Sequence, residues 1–360
     1  MKGLYKILSL FVMLALIFSS TLTNLRIEPD PISSDDTESV PNNFLLPPIK
    51  DFRDPNEIRK DQIPNTYRHN ISNMSREEYI EKWYGDEVGF NKSLAFSCER
   101  LTFEGHKGSA AFSPDGKKII YTSKEDGGDY FDIWIMDIDG TNRTQVTFCD
   151  YGESQPSFMS DGIHIMYVTS GKLGIRVWIK NLINNSTTYY DLRGCHPSPA
   201  PGNRIIFSSN CTQIADMYFE NYTYLPVGMG GNWPHMDASG TLIVSEGYHC
   251  NQYNQLLLAD LVNNTSLQLT FDEINHNDPS ISPDGKMIVY DTYYSPPARD
   301  YSNLWLYDII TGKQYQLTYG MVVDGMAEFS PSGKQIIFGS TRGNEGWSFD
   351  LWLITLEMGY

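Results

Sequence analysis

Basic residues are scarce in this 360-residue chain: 27 Lys and Arg stand against 44 Asp and Glu, a formal net charge of -17. That balance argues against a nucleic-acid backbone as partner, because phosphate binding needs clustered Lys and Arg. The local signatures of common chemistries are missing as well. There is no Gly-x-Ser-x-Gly elbow, no His-Glu-x-x-His, and no Walker or dinucleotide-binding glycine pattern. The sequence therefore offers no local constellation for acyl transfer, zinc hydrolysis or nucleotide binding. Cysteine is also sparse, with five in the whole chain.

Long apolar runs are confined to the start. Lys2 and Lys6 precede an apolar run from Ile7 to Phe18, followed by Ser19, Ser20 and Thr21. A basic start, a short apolar core and small residues at the exit mark a secretory signal peptide. The uncharged stretch from Ile7 to Leu25 is also just long enough to act as a signal anchor and tether the chain to a membrane. Residues 1–25 are thus assigned as signal peptide or signal anchor, and either places the body of the protein in the periplasm or outside the cell. Residues 26–97 form a leader. Its first part is rich in Pro, Asp, Asn and Ser and reads as irregular. A short helix is expected near 76–84, where Ser75-Arg76-Glu77-Glu78 has capping-box spacing and Tyr79, Ile80, Trp83 and Tyr84 share one helical face.

What the chain does have is repetition. Phe112-Ser113-Pro114-Asp115-Gly116-Lys117-Lys118-Ile119-Ile120-Tyr121 returns as Ile281-Ser282-Pro283-Asp284-Gly285-Lys286-Met287-Ile288-Val289-Tyr290, and again from Phe329 to Phe338. Proline presets φ at the first central turn position, and glycine or asparagine takes the φ > 0 position after it, so each copy reads as a hairpin. Aligned on that last turn residue, the copies fall at Gly116, Gly162, Asn203, Gly240, Gly285 and Gly333, with spacings of 46, 41, 37, 45 and 48 residues. Periods in the forties with several strands per unit indicate propeller blades. A third strand follows each hairpin, as in Asp132-Ile133-Trp134-Ile135, and a fourth ends in Gln145-Val146-Thr147-Phe148, Gln268-Leu269-Thr270-Phe271 or Gln316-Leu317-Thr318-Tyr319. The sixth unit stops after its third strand, while Glu99-Arg100-Leu101-Thr102-Phe103, ahead of the first unit, carries the fourth-strand pattern. An unpaired edge invites aggregation, so that segment is expected to close the sixth blade.

The Ser-Pro-Asp-Gly-Lys turns, the Leu/Ile-Trp third strands and the Gln-Leu-Thr-Phe fourth strands resemble the WD-like repeats of the TolB-like β-propeller family. The resemblance spans residues 98–360 and is strongest in units one, five and six. It implies an all-β, six-bladed propeller of four-stranded blades, a fold found in periplasmic and extracellular proteins that bind other proteins. The same repeat forms the non-catalytic propeller of some peptidases and of some lyases. No α/β-hydrolase segment follows the repeats in this sequence, so a peptidase's catalytic half is not expected.

Alternating strand direction puts the Ser-Pro-Asp-Gly turns at one end of the ring and the blade-joining segments at the other, the top. There the mouth of the central channel should gather Glu153, Gln155, His196, Trp233, His276, Asp278 and Asp324, with Tyr293, Tyr294, Arg299 and Trp347 on nearby loops. Amphipathic aromatics around a polar mouth suit peptide or carbohydrate contacts. The histidines lie in separate blades without ligand spacing, so no metal and no cofactor are expected. Of the cysteines, Cys195 and Cys211 flank one hairpin and are the expected disulfide. Asn-x-Ser/Thr sequons at Asn70, Asn73, Asn91, Asn142, Asn184, Asn185, Asn210, Asn221, Asn263 and Asn264 are candidate glycan acceptors in an exported chain. The functional expectation is an exported, monomeric, non-enzymatic propeller that binds a protein or peptide through its top face. The alternative is a carbohydrate-active or metal-dependent enzyme, lyase-like, using the channel-mouth histidines and carboxylates.

Overall fold

The computed structural model of the chain describes residues 89–103, 106–124, 129–171, 174–191, 195–208, 212–225, 231–248, 253–293, 301–320, 322–344 and 348–357. The N-terminal apolar run and the helix expected near 76–84 lie outside them. So do Tyr294, Arg299, Trp347, Asn70, Asn73 and Asn210, and Cys211 with the disulfide expected of it. Among the described residues all regular structure is β.

The hairpin turns form as their residues dictate. All six aligned positions hold positive φ: 69° at Gly116, 67° at Gly162, 55° at Asn203, 73° at Gly240, 71° at Gly285 and 70° at Gly333. The recurring serine has a local task. Ser113 Oγ donates to Asp115 Oδ1 (2.7 Å) and accepts the Lys118 amide (2.9 Å), which ties the turn across its mouth. Ser282 makes the same contacts with Asp284 and Met287. The motif is turn chemistry.

The hairpins assemble into six four-stranded antiparallel sheets. The innermost strands are Lys107–Phe112, Glu153–Phe158, Cys195–Ala200, Asn232–Met236, Asn275–Ile281 and Asp324–Phe329. They contact one another in succession, and the sixth returns to the first. Each is therefore one wall of a central channel. Antiparallel order places the first and third turns of every blade at one end of this ring.

The fourth-strand motif works as a clip. Thr147, Thr270 and Thr318 each accept a third-strand amide on Oγ1, from Ile133 (2.8 Å), Leu256 (3.0 Å) and Leu304 (2.9 Å). The glutamine two residues earlier donates to the same threonine's carbonyl oxygen. In the sixth sheet the outer strand is Ala95–Arg100, paired with Asp350–Leu356, as the sequence pattern predicts. Thr102 accepts the Leu351 amide (2.9 Å), and Arg100 takes the glutamine's part by donating from Nε to the Thr102 carbonyl (2.8 Å). Its guanidinium then reaches Asp350 (2.5 Å) and Asn344 (2.6 Å) together, where Gln145 makes a single longer bond to the equivalent Asp132 (3.1 Å). Regular structure begins ahead of Cys98, since Gly89–Phe90 also pairs with Thr318–Tyr319.

Six apolar cores lie one at each blade interface. Adjacent residues of a second strand serve different cores. Ile119 packs with Ile337 and Leu353 of the sixth blade, while Ile120 packs with Phe158 and Ile165 of the second. Both faces of every blade are thus covered, which is why these strands are continuous apolar runs without alternation. In the first strands, apolar character gives way to Pro, Ser, His, Asn and Asp toward the channel.

Candidate functional site

Each inner strand slips register where it enters its blade: between Lys107 and Ala110, Ser154 and Ser157, Cys195 and Ser198, Asn232 and His235, Asn277 and Ser280, and Gly325 and Glu328. These are β-bulges, which leave one residue out of the ladder and re-aim it. Glycine is the inexpensive choice at such a left-handed position. Here Gln155 (φ 52°), His196 (56°), Trp233 (51°), Asp278 (47°) and Met326 (54°) occupy it instead. A non-glycine residue in that region costs about 1–3 kcal/mol, and such strain concentrates at functional sites. In blades two to five a proline follows (Pro156, Pro197, Pro234, Pro279), which removes the amide that the bulge would leave unpaired.

These residues, with Ser109 in the equivalent place of the first blade, line a cavity of about 110 Å³ on the axis. Behind them Ser157, Ser198, His235, Ser280 and Glu328 form a further tier of its wall. Around the ring most members touch a neighbour. Gln155 Nε2 lies 3.1 Å from His196 Nδ1, and the His196 and Trp233 rings pack with centroids 3.9 Å apart, tilted by 30°. Ser109 Oγ meets Met326 Sδ at 3.5 Å. The Asp278 carboxylate stands apart, with no hydrogen bond or ion pair from any described residue.

The surroundings of Asp278 are acidic. Its amide, freed from the ladder by the bulge, donates to Glu246 Oε2 of the preceding blade (3.0 Å). Glu246 Oε1 takes a longer contact from Asn254 Nδ2 (3.3 Å). Asp291, opposite Asn277 on the next strand, has neither oxygen in a hydrogen bond of normal geometry; its electrostatic relief is the nearby Met326 amide. Gly325 leaves it room, since a Cβ there would sit 3.2 Å from Asp291 Oδ1. Burial pushes Asp278 up to about 6 and Glu328 up to about 8. Glu246 and Asp291 also lie well above the usual carboxylate range, through burial first and then repulsion from Asp278. Burial drives the histidines the other way: His196 and His235 fall to about 4 and are neutral at physiological pH. Both keep some exposure, and they border the cavity.

Of the residues expected at the mouth, Gln155, His196, Trp233 and Asp278 converge on this cavity. Glu153, His276 and Asp324 are buried beside their blades. Glu153 accepts the Thr147 hydroxyl, and burial raises its pKa. His276 Nε2 bonds Asp272 Oδ1 (2.7 Å), and Asp324 is held by Arg342 and by Ser340 Oγ (2.6 Å). Tyr293 is half-buried, and its hydroxyl is pushed up by burial and by Asp291. Sequence reasoning missed Ser109 and Met326, although both stand seven residues before the aligned turn position, in units where alanine replaces the guiding proline. It also missed Glu246 and Asp291, whose role depends on the neighbouring blade.

Among the described residues no group of three His, Cys, Asp or Glu side chains is placed to hold a metal ion. Cys98 and Cys149 are free thiols, both pushed up by burial, to about 12 and about 11. The sequons Asn142, Asn184, Asn185, Asn221 and Asn263 are exposed, and Asn91 and Asn264 are half-buried.

No family model matches the chain. Over 179 residues, half of this chain, it is 25% identical to the uncharacterized peptidase YuxL of Bacillus subtilis, and it spans only 20% of that protein's length. Among solved structures it is similar to TolB from Acinetobacter baumannii, with a TM-score of 0.50 and 19% identity, covering 71% of this chain and 65% of that one. An oligogalacturonate lyase from Vibrio parahaemolyticus gives a TM-score of 0.52 at 11% identity, covering 76% and 98% of the two chains. At such identities these likenesses speak for the fold alone.

Proposed function

We propose that this TolB-like six-bladed β-propeller is an exported binding protein without catalytic activity, which seats a protein or peptide at the mouth of its central channel. The observation that carries the reading is the ring itself. Blades two to six each hold a non-glycine residue in the left-handed region, and all five of those side chains border one axial cavity. A fold that needed only closure could place glycine there and avoid the strain. The TolB likeness supports the same reading at the level of the fold. Export rests on Lys2, Lys6 and the apolar run after them, and in a glycosylating host the exposed sequons would carry glycans.

The test is capture from extracts of the source organism with wild type and Trp233→Asn. Asparagine tolerates the left-handed backbone, so the variant removes the ring and leaves the bulge. A protein retained by wild type and lost by the variant is the expected result. Equal retention by both proteins refutes the channel mouth as the binding surface.

A further inference from the structure

The six-residue ring contains a single carboxylate, Asp278, and the cavity wall around it carries acceptors without donors to match. Gln155 spends its Nε2 on His196, leaving Oε1 enclosed and unpartnered. His235 Nδ1 is likewise enclosed and unpartnered. Both residues border the cavity. Unsatisfied polar atoms at a cavity large enough for several waters call for a ligand or solvent to complete them. Behind Asp278 stand Glu246 and Asp291, and farther off Asp324 and Tyr293. Asp324 is already matched by Arg342. No cationic side chain pairs with Glu246, Asp278 or Asp291 among the described residues.

We propose that the channel recognises a primary ammonium group, with Asp278 as counter-ion, Gln155 Oε1 as a second acceptor and the closely packed Trp233 and His196 rings as the wall its alkyl stem packs on. This inference rests on the channel-mouth reading above and names the group that the site takes. An anion is disfavoured by Asp278 in the same wall, while Glu328, raised to about 8, is held neutral. A guanidinium could take the free Asp278 carboxylate bidentately, but its three remaining donors lie fixed in the same plane, and the unpartnered acceptors of the wall are Gln155 Oε1 and His235 Nδ1, in other blades. An ammonium is a compact charge whose donors suit separate acceptors, and an aromatic face adds cation–π attraction. His196 and His235, neutral at physiological pH, do not repel it. Binding must also respond to pH. A cation favours ionised Asp278, so ammonium binding and proton binding compete. Affinity falls as pH drops through the value of about 6 that the buried carboxyl holds.

The experiment is calorimetric titration of the full chain with n-butylammonium chloride, and with butan-1-ol as the uncharged counterpart. Wild type should bind the ammonium and not the alcohol, and the affinity should fall between about pH 7.5 and about pH 5. Asp278→Asn keeps a residue that accepts the left-handed backbone, and it should bind roughly tenfold or more weakly, as expected when one partner of an enclosed ion pair is removed. Its melting temperature and circular dichroism show whether it is folded, and Gln155→Leu, expected to weaken binding less, supplies an independent variant. Equal binding of ammonium and alcohol, or a folded Asp278→Asn that binds like wild type, overturns the proposal. Triglycine amide and Nα-acetyl-lysine amide then separate an amino-terminal from a lysyl source. A captured partner sensitive to Trp233→Asn but indifferent to Asp278→Asn and to n-butylammonium leaves the binding reading standing and removes this one.

Discussion

Replacing Arg100 by glutamine, the residue its counterparts carry in other blades, isolates the clasp that closes the ring. In Arg100→Gln the new amide can still donate to the Thr102 carbonyl, as Gln145, Gln268 and Gln316 do to theirs. Toward Asp350 it can offer at most one neutral, longer hydrogen bond, as Gln145 does to Asp132 (3.1 Å), in place of the charged contact to a side chain that is fully enclosed and bonded by Arg100 (2.5 Å), Thr102 (2.6 Å) and Asn344 (2.7 Å). Losing one partner of a buried pair costs about 3–5 kcal/mol when no other donor remains. Here two donors stay, and the Arg100 side chain is 19% exposed, so a loss of about 2–3 kcal/mol is expected. For a domain of this size that lowers Tm by roughly 5–10 °C. The loss should appear first as local opening, with faster amide exchange over 95–100 than in the central blades. The hydrogen bonds and Arg100 hold the Asp350 carboxyl below its ordinary value. That contribution is present above the unfolded carboxylate's pKa, about 4, and is lost as pH falls through the folded one. The difference between variant and wild type should therefore shrink at acid pH. Arg100→Gln/Asp350→Asn, which removes the stranded charge as well, should recover part of the loss. Thermal melts and hydrogen exchange read all three. A Tm within about 1 °C of wild type, with unchanged exchange over 95–100, refutes the clasp.

Thr318→Val keeps shape but leaves the Leu304 amide without its acceptor, for an expected loss of about 1–3 kcal/mol in urea melts. Ile120→Ala opens a cavity in the fully buried core between the first and second blades, and should cost about 2–5 kcal/mol by the same assay. Glu328 carries a folded-state pKa raised to about 8, so its neutral form is favoured in the fold and wild type loses stability as pH rises from about 4 through 8. Glu328→Gln should match wild type near pH 4 and melt higher above about pH 8; parallel melting curves across that range would count against a buried, protonated Glu328.

The repeat grammar makes the fold legible in the amino-acid sequence itself. Turn geometry follows from Pro, Asp and Gly within four residues, and a spacing in the forties makes each unit a blade. The fourth-strand pattern at Glu99 to Phe103 even locates the closing strand, because its threonine and apolar positions serve the same third-strand partners as in other blades. Legibility falls toward the axis. His276 and Asp278 lie two residues apart, yet one bonds Asp272 and the other faces the cavity. In an even strand they would share a side; the bulge between Asn277 and Ser280 breaks that parity. Glu153 and Gln155 part in the same way.

Local interactions thus let the sequence alone determine the hairpins, the six units and the order in which they close, since each is decided within a few residues or by strict repetition. The site needed the tertiary structure. Burial raises the Asp278 carboxyl, and Asp278 in turn repels Glu246, one blade back, and Asp291, on the adjoining strand. Gln155, His196 and Trp233 meet only because three blades turn about one axis. Charge repulsion and desolvation act through space, over separations that no spacing along the chain records.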